Sequence, residues 1–92
     1  MKELKSEFKG LGQVNGYSFQ EEKKSQYAYI YSVKNDITGV IHYEVFKRVE
    51  NTRFNCVSYP GKSSFGLWAW TTSNLDRAVE IFDNLNLVID IN

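Results

Sequence analysis

The feature of the sequence that most constrains the fold is a change in hydrophobic period near Thr71. Before it, turn-forming residues recur every eight to twelve residues, which is typical of consecutive antiparallel strands. After it, apolar residues follow helical spacing at Leu75, Ala78, Val79, Phe82 and Leu85. The sequence therefore predicts one α+β domain over residues 1–92, an antiparallel β-meander of five to six strands with one C-terminal amphipathic helix packed on one face.

Six strands are predicted from alternation and turn residues, over residues 8–14, 17–22, 26–33, 38–49, 53–59 and 65–71. Asn15-Gly16 between the first two favours a two-residue type I′ turn. In the third strand the alternation puts Tyr27, Tyr29 and Tyr31 on one face, opposite Ala28 and Ile30.

The helix is predicted to begin after Ser73, because Ser73-x-x-Asp76 is a reduced capping box, and to end near Asn84 or Asn86. Six strands form a sheet about 24 Å wide, and one helix about 10 Å across cannot cover it. We therefore expect the sheet to curl strongly, to expose an aromatic strip, or to bury that strip against another molecule. We predict that the helix packs on the Phe65 side, and that residues 87–91 add a short strand or an apolar tail.

The inventory of reactive side chains is small, with His42 as the one histidine and Cys56 as the one cysteine. A single cysteine excludes both an intramolecular disulfide and a cysteine-based metal site. His42 shares a strand face with Glu44, and a nearby Ser63 or Ser64 would complete a hydrolase-like set. No nucleophile elbow accompanies them, so we predict no enzymatic activity, no metal and no cofactor.

Aromatic and basic residues supply the candidate binding surface. Tyr and Trp are enriched at interfaces, where one end of the ring is buried and the other is wet. A role for the same rings in the core is the competing interpretation. The predicted binding residues are Tyr27, Tyr29, Tyr31, Lys47, Arg48, Arg53, Trp68 and Trp70.

Charge is unevenly distributed although the net charge is zero. Residues 1–62 carry a net +3 and residues 63–92 a net −3. This asymmetry allows a modest basic surface but falls short of a dedicated nucleic-acid binder. The leading hypothesis is thus a non-catalytic protein-binding module. A single-stranded RNA- or DNA-binding domain using the aromatic sheet face is the alternative, and a structural homodimer is the second alternative.

Three segments carry a resemblance to known proteins: HYEVFKR at 42–48, YPGKSSFGLWAW at 59–70 and NLDRAVEIF at 74–82. The chain resembles a class of small bacterial and phage-borne proteins in which a β-meander ends in an F-G-x-W-A-W strand and one amphipathic helix. Many small, cofactor-free proteins of phages and mobile elements inhibit host defences, anti-CRISPR proteins among them. The resemblance implies an inhibitor that binds a larger protein or ribonucleoprotein. It assigns no functional residues, because anti-CRISPR proteins share no common fold or signature.

Hydropathy bears on localisation. The segment MKELKSEFKG contains no apolar run typical of a signal peptide, and no segment approaches the ~20 apolar residues that span a bilayer. We therefore predict a cytoplasmic protein that does not enter a membrane.

Overall fold

Seven strands precede one helix in residues 1–87, the part of the chain that the computed structural model describes. The elements are β1 (Glu7–Lys9), β2 (Tyr17–Lys24), β3 (Ala28–Asn35), β4 (Ile41–Lys47), β5 (Val49–Asn51), β6 (Cys56–Ser58), β7 (Ala69–Thr72) and α1 (Leu75–Leu85). The main sheet has the order β1-β2-β3-β4-β7, and β5 and β6 form a separate two-stranded sheet. All the strand pairs are antiparallel.

The predicted α+β class, with an antiparallel sheet and one C-terminal helix, is confirmed. The described strands form no closed barrel, so the predicted strong curl is not confirmed. Apart from Leu87, the predicted tail at residues 87–91 lies outside the described residues.

The central strand β3 is buried on both of its faces. The predicted alternation is confirmed, with Tyr29 and Tyr31 contributing to one hydrophobic cluster and Ala28 and Ile30 to another. All four side chains are fully buried. A strand buried on both sides needs covering layers above and below the sheet, and these layers are the main features of the fold.

Helix α1 forms one covering layer. Ala78 and Phe82 of the helix pack against Ala28, Ile30 and Val45 of the sheet. Since Val45 is the cross-strand partner of Trp70, the helix lies on the face that carries Trp70. The prediction that it packs on the Phe65 side is therefore wrong.

The opposite face carries an aromatic cluster, made of Phe8, Phe19, Tyr29, Tyr31, Phe46, Tyr59 and Trp68. The rings are in contact, with centroids 4.7 Å apart for Phe8 and Phe19 and 4.8 Å apart for Phe46 and Tyr59. Leu4 from the N-terminal segment, Val57 of β6 and Phe65 pack against the same cluster. The chain thus covers the aromatic strip with its own segments.

The segment FGLWAW is a strand only in its last part. Residues 62–64 form a 3₁₀ turn, and Gly66 has φ +92°, a conformation that side-chain-bearing residues rarely adopt. The strand predicted from residue 65 therefore begins at Ala69. Because the alternation fails before this point, Phe65 and Trp68 both pack on the aromatic cluster.

Two other local predictions are wrong. The β1–β2 connection is longer than a two-residue turn, with a 3₁₀ turn at residues 12–14. Asn15 has φ −60°, whereas a type I′ turn needs positive φ at both central residues. The predicted strand over residues 38–49 ends at Lys47, and β5 begins after Arg48 in a different sheet.

Candidate interface at the Tyr27 end of the sheet

The β2–β3 hairpin and the end of β4 bring three predicted binding residues together. Ala28 pairs with Lys47 across the strands, and the Arg48 N–H donates to the Tyr27 carbonyl oxygen at 2.8 Å. The hairpin turn is fixed by the Ser25 hydroxyl oxygen, which accepts from the N–H groups of Tyr27 and Ala28 at 3.1 Å each. Tyr27, Lys47 and Arg48 therefore share one end of the sheet.

These three residues line a cleft of about 460 Å³, which we call the Tyr27 cleft; its other lining residues are Gln26, Glu50 and Leu85. The C-terminal turn of α1 supplies one wall through Leu85. The Ser25 hydroxyl donates to Asn86 Oδ1 at 2.6 Å, which ties the end of the helix to the hairpin. Elements from three parts of the chain thus fix the shape of the cleft.

Arg48 is held in place by two carboxylates. Its Nη2 lies 2.5 Å from Glu3 Oε2, and its Nη1 lies 2.5 Å from Glu50 Oε2. The two hydrogen-bonded carboxylates raise the pKa of Arg48 above its usual range. With its side chain only 20% exposed, the guanidinium is a fixed group rather than a mobile surface cation.

Glu3 extends this network into the core. The Tyr29 hydroxyl donates to Glu3 Oε1 at 2.6 Å. The hydrogen bonds from Arg48 and Tyr29 lower the pKa of Glu3 to about 2. Burial, together with the hydrogen bond to Glu3, raises the pKa of Tyr29 to about 12. The N-terminal segment, the aromatic cluster and the cleft are therefore joined through one carboxylate.

Lys47 is the exposed cation of the cleft. It is exposed and forms no ion pair with any residue in the described part of the chain. Tyr27 is 36% exposed. The cleft therefore offers an ammonium group, a half-exposed phenol and a fixed guanidinium within one concave surface.

The other predicted binding residues lie elsewhere. Tyr29 and Tyr31 are fully buried, and the Tyr31 hydroxyl donates to the Lys5 carbonyl oxygen at 2.7 Å. Their prediction as surface residues is wrong, because the N-terminal segment covers the face on which they lie. Trp68 packs on the aromatic cluster, whereas Trp70 is half-buried on the helix side. Arg53 lies at the β5–β6 turn, 5.3 Å from the centre of the Phe54 ring.

Sequence reasoning missed Gln26, Glu50 and Leu85. Leu85 belongs to the helical apolar pattern, which predicts only that it faces the sheet. Its place in the cleft depends on where α1 ends relative to β4, and that is a tertiary property without a local sequence signal.

His42 lies on the same side of the sheet as the aromatic cluster. Its Nε2 lies 3.1 Å from Glu44 Oε2, so the two residues share a strand face as predicted. The Tyr59 hydroxyl donates to the other oxygen of Glu44 at 2.7 Å. Both carboxylate oxygens therefore have protein partners. Within residues 1–87 no group of three His, Cys, Asp or Glu side chains is arranged to hold a metal ion.

Comparisons of the chain with protein-family models, curated proteins and solved structures find no match. The resemblance to small phage-borne proteins stays a prediction. In the described part of the chain, no helix has the length and apolar character needed to cross a membrane.

Proposed function

We propose that this chain is a non-catalytic protein-binding module whose partner contacts the Tyr27 cleft. The observation that carries the proposal is the exposed Tyr27 and Lys47 beside the fixed Arg48 guanidinium. These elements come from a hairpin, a strand end and a helix end, each held by hydrogen bonds. A surface ordered in advance loses little conformational entropy when a partner binds.

The chemistry of the cleft fits a protein segment with an acidic and an apolar side chain. Lys47 attracts a carboxylate, while Tyr27 and Leu85 supply apolar contact. Tyr and Arg are among the residues that dominate interface energies. The guanidinium of Arg48 has two protein carboxylates already, so its role is to shape the surface rather than to capture an anion.

Inhibition of a host-defence nucleoprotein stays a prediction, as does location in the cytoplasm. What supports a blocking role is size, since a body of 47 × 33 × 22 Å can occlude a surface of a larger protein without any chemistry. A standard protein–protein interface buries about 800 Å² on each partner.

A nucleic-acid partner is less well supported than a protein partner. Stacking of single strands needs several aromatic rings that project from the sheet. Tyr29 and Tyr31 are buried, and Trp68 and Trp70 lie on opposite sides of the sheet. Only Tyr27 of the predicted aromatic residues combines exposure with a neighbouring free cation.

The test is quantitative capture from the cells that naturally produce the chain, followed by affinity measurement with the purified captured protein. Lys47→Glu reverses the charge inside the cleft, and Arg53→Glu makes the same change outside it. Tyr27→Ala removes the ring. We expect Lys47→Glu and Tyr27→Ala to weaken binding by about tenfold or more, since residues at the centre of an interface dominate its energy. Arg53→Glu should leave the affinity unchanged.

Two results would contradict the proposal. One is a captured protein that binds Lys47→Glu, Tyr27→Ala and wild type equally. The other is capture that disappears on nuclease treatment and that weakens with log salt at a slope of about −0.7 per neutralised phosphate, which is the signature of a single-stranded nucleic acid.

A further inference from the structure

The segment before β1, residues 2–5, crosses the aromatic cluster and supplies hydrogen-bond acceptors to two fully buried tyrosines; we call it the N-terminal strap. The Tyr29 hydroxyl donates to Glu3 Oε1 at 2.6 Å. The Tyr31 hydroxyl donates to the Lys5 carbonyl oxygen at 2.7 Å. Both tyrosines have no exposed surface while the strap is in place. The strap therefore closes the side of the aromatic cluster on which the two hydroxyls lie.

The strap is fastened to two other parts of the fold. The Lys2 N–H donates to the Asn55 carbonyl oxygen at 2.9 Å, and the Lys2 carbonyl oxygen accepts from the Val57 N–H at 2.8 Å. Lys2 thus adds one parallel bridge to the β5–β6 sheet. Glu3 Oε2 lies 2.5 Å from Arg48 Nη2, which ties the strap to the Tyr27 cleft. All of these attachments are polar.

The strap contributes little apolar contact to the fold. Leu4 is its one side chain that packs against the aromatic cluster, and it is only half-buried. Lys2, Glu3 and Lys5 are exposed. The hydrogen bonds of the strap add little net stability, because the groups that lose them on opening bond to water instead. A segment with few buried apolar contacts opens at a lower free energy than the core.

The strap ends where the main sheet begins. The Ser6 carbonyl oxygen accepts from the Glu21 N–H at 2.7 Å, and Glu7–Lys9 pairs with β2. Phe8 stacks on Phe19 with the ring centroids 4.7 Å apart. These contacts belong to the sheet, so they remain when the strap leaves the aromatic cluster.

We propose that the strap opens as one unit about Ser6 while the sheet and helix α1 stay folded. A single opening breaks all of its contacts, because the residues that make them are consecutive in the chain. It uncovers the hydroxyl ends of Tyr29 and Tyr31. It also leaves Arg48 with Glu50 as its remaining carboxylate partner. The strap therefore links access to the aromatic cluster with the order of the Tyr27 cleft.

The first test is hydrogen exchange of the wild-type full chain, followed by NMR over a series of low denaturant concentrations. The Val57 N–H reports the strap, because its acceptor is the Lys2 carbonyl oxygen. The control is the Ser58 N–H, which the alternation of the strand directs towards β5. We expect the Val57 N–H to open at a lower free energy than the Ser58 N–H and the amides of β3. Its exchange should depend little on denaturant, since a local opening exposes little surface.

A second test shifts the strap towards its open state. Leu4→Asp removes the apolar contact and brings a charge to the aromatic cluster, which should raise the open fraction about tenfold or more. Hydroxyl-radical footprinting should then oxidise Tyr29 and Tyr31 faster than in wild type. Phe82, in the core on the helix side, should stay protected. The matched control is Leu11→Asp, since Leu11 lies outside the strap and is 81% exposed. This control should match wild type.

Two results would overturn the proposal. One is a wild-type Val57 N–H that exchanges with the free energy and denaturant dependence of the β3 amides. The other is a folded Leu4→Asp variant in which Tyr29 and Tyr31 stay as protected as in wild type, or in which Phe82 is oxidised along with them. Circular dichroism verifies folding, and the wild-type exchange decides alone if the variant does not fold. The outcome is independent of the proposed function, because neither measurement uses a partner.

Discussion

Glu3 is the residue that joins the N-terminal segment to both the core and the cleft. Its carboxylate accepts a hydrogen bond from the buried Tyr29 and pairs with Arg48. Tyr29 needs a partner for its hydroxyl in the core, because an unpaired buried hydroxyl is costly. One exposed acid therefore satisfies a core residue and fixes a cleft residue together.

This arrangement predicts a loss of stability in acid. The pKa of Glu3 is about 2 in the folded chain against 4.5 for an ordinary glutamate. A carboxyl group with a lowered folded pKa stabilises the protein above the unfolded pKa, and that stabilisation is lost as the pH falls from about 4.5 towards about 2. Denaturant unfolding over this range should show the loss for wild type and a smaller loss for Glu3→Gln.

The control for this prediction is Glu7→Gln, which removes a carboxylate that forms no ion pair in the described residues. It should keep the wild-type dependence on pH. Equal pH dependence for wild type and Glu3→Gln would show that the Glu3 network does not contribute to stability.

A second prediction at the residue scale concerns two glycines. A Cβ added to Gly10 would lie 2.0 Å from the Val14 carbonyl oxygen, so Gly10→Ala forces the β1–β2 connection to move. Overpacking of this kind costs about 1–3 kcal/mol. Gly61 has φ −88° and nothing within 4 Å of an added Cβ, and Gly61→Ala should be neutral or slightly stabilising. The free energy of unfolding is measured for both variants. Equal values for Gly10→Ala and Gly61→Ala would contradict the close approach at Gly10.

At the scale of elements, the start of helix α1 differs from the sequence prediction by one residue. Asn74 is the N-cap, and its Oδ1 accepts from the Arg77 N–H at 3.1 Å. Ser73 is not the cap, and the Asn74 N–H donates to the Thr72 hydroxyl at 3.2 Å. Ser, Thr, Asp and Asn are all good caps, so sequence alone does not choose between Ser73 and Asn74.

Asn74→Ala should therefore destabilise the protein by about 1 kcal/mol, the usual contribution of an N-cap side chain. Ser73→Ala should have little effect. Thermal or denaturant unfolding of both variants measures the difference. A larger loss of stability for Ser73→Ala than for Asn74→Ala would identify Ser73 as the N-cap and contradict the structure.

The sequence predicts elements well where one local rule acts and poorly where distant segments decide. The alternation of β3 and the spacing of α1 are local, and both are confirmed. The failure at Phe65 has a tertiary cause, because Gly66 turns the chain so that Phe65 bridges Ala69. Likewise, the meeting of Tyr27, Lys47 and Leu85 depends on strand register and helix placement. Residue type predicts a binding role for Tyr27 and Lys47 but not for Leu85, and only the fold brings the three together.

At the scale of the whole molecule, the two faces of the main sheet are covered in different ways. A five-stranded sheet is about 19 Å from edge to edge, wider than the single helix that lies on it. On one face the chain places α1 over β3, β4 and β7 and leaves polar residues over β1 and β2. On the other face, Leu4, Val57 and Phe65 come from three separate segments to cover the aromatic cluster.

The covering segments decide which aromatic rings are buried and which stay exposed. Rings that sequence reasoning groups together are divided by the fold into buried Tyr29 and Tyr31 and half-exposed Tyr27. The Tyr27 cleft lies at one end of β3, next to the ring that the fold leaves half-exposed.

The central claim is that the aromatic face belongs to the core and that Tyr27 is the accessible ring beside the free cation. Hydroxyl-radical footprinting of the free chain, read by mass spectrometry against the denatured chain, tests it directly. Tyr27 and the exposed Phe54 should oxidise rapidly, while Tyr29, Tyr31 and Phe46 should be strongly protected. Oxidation of Tyr29 and Tyr31 at the rate of Tyr27 would contradict the account, because it would show that these rings are exposed to solvent.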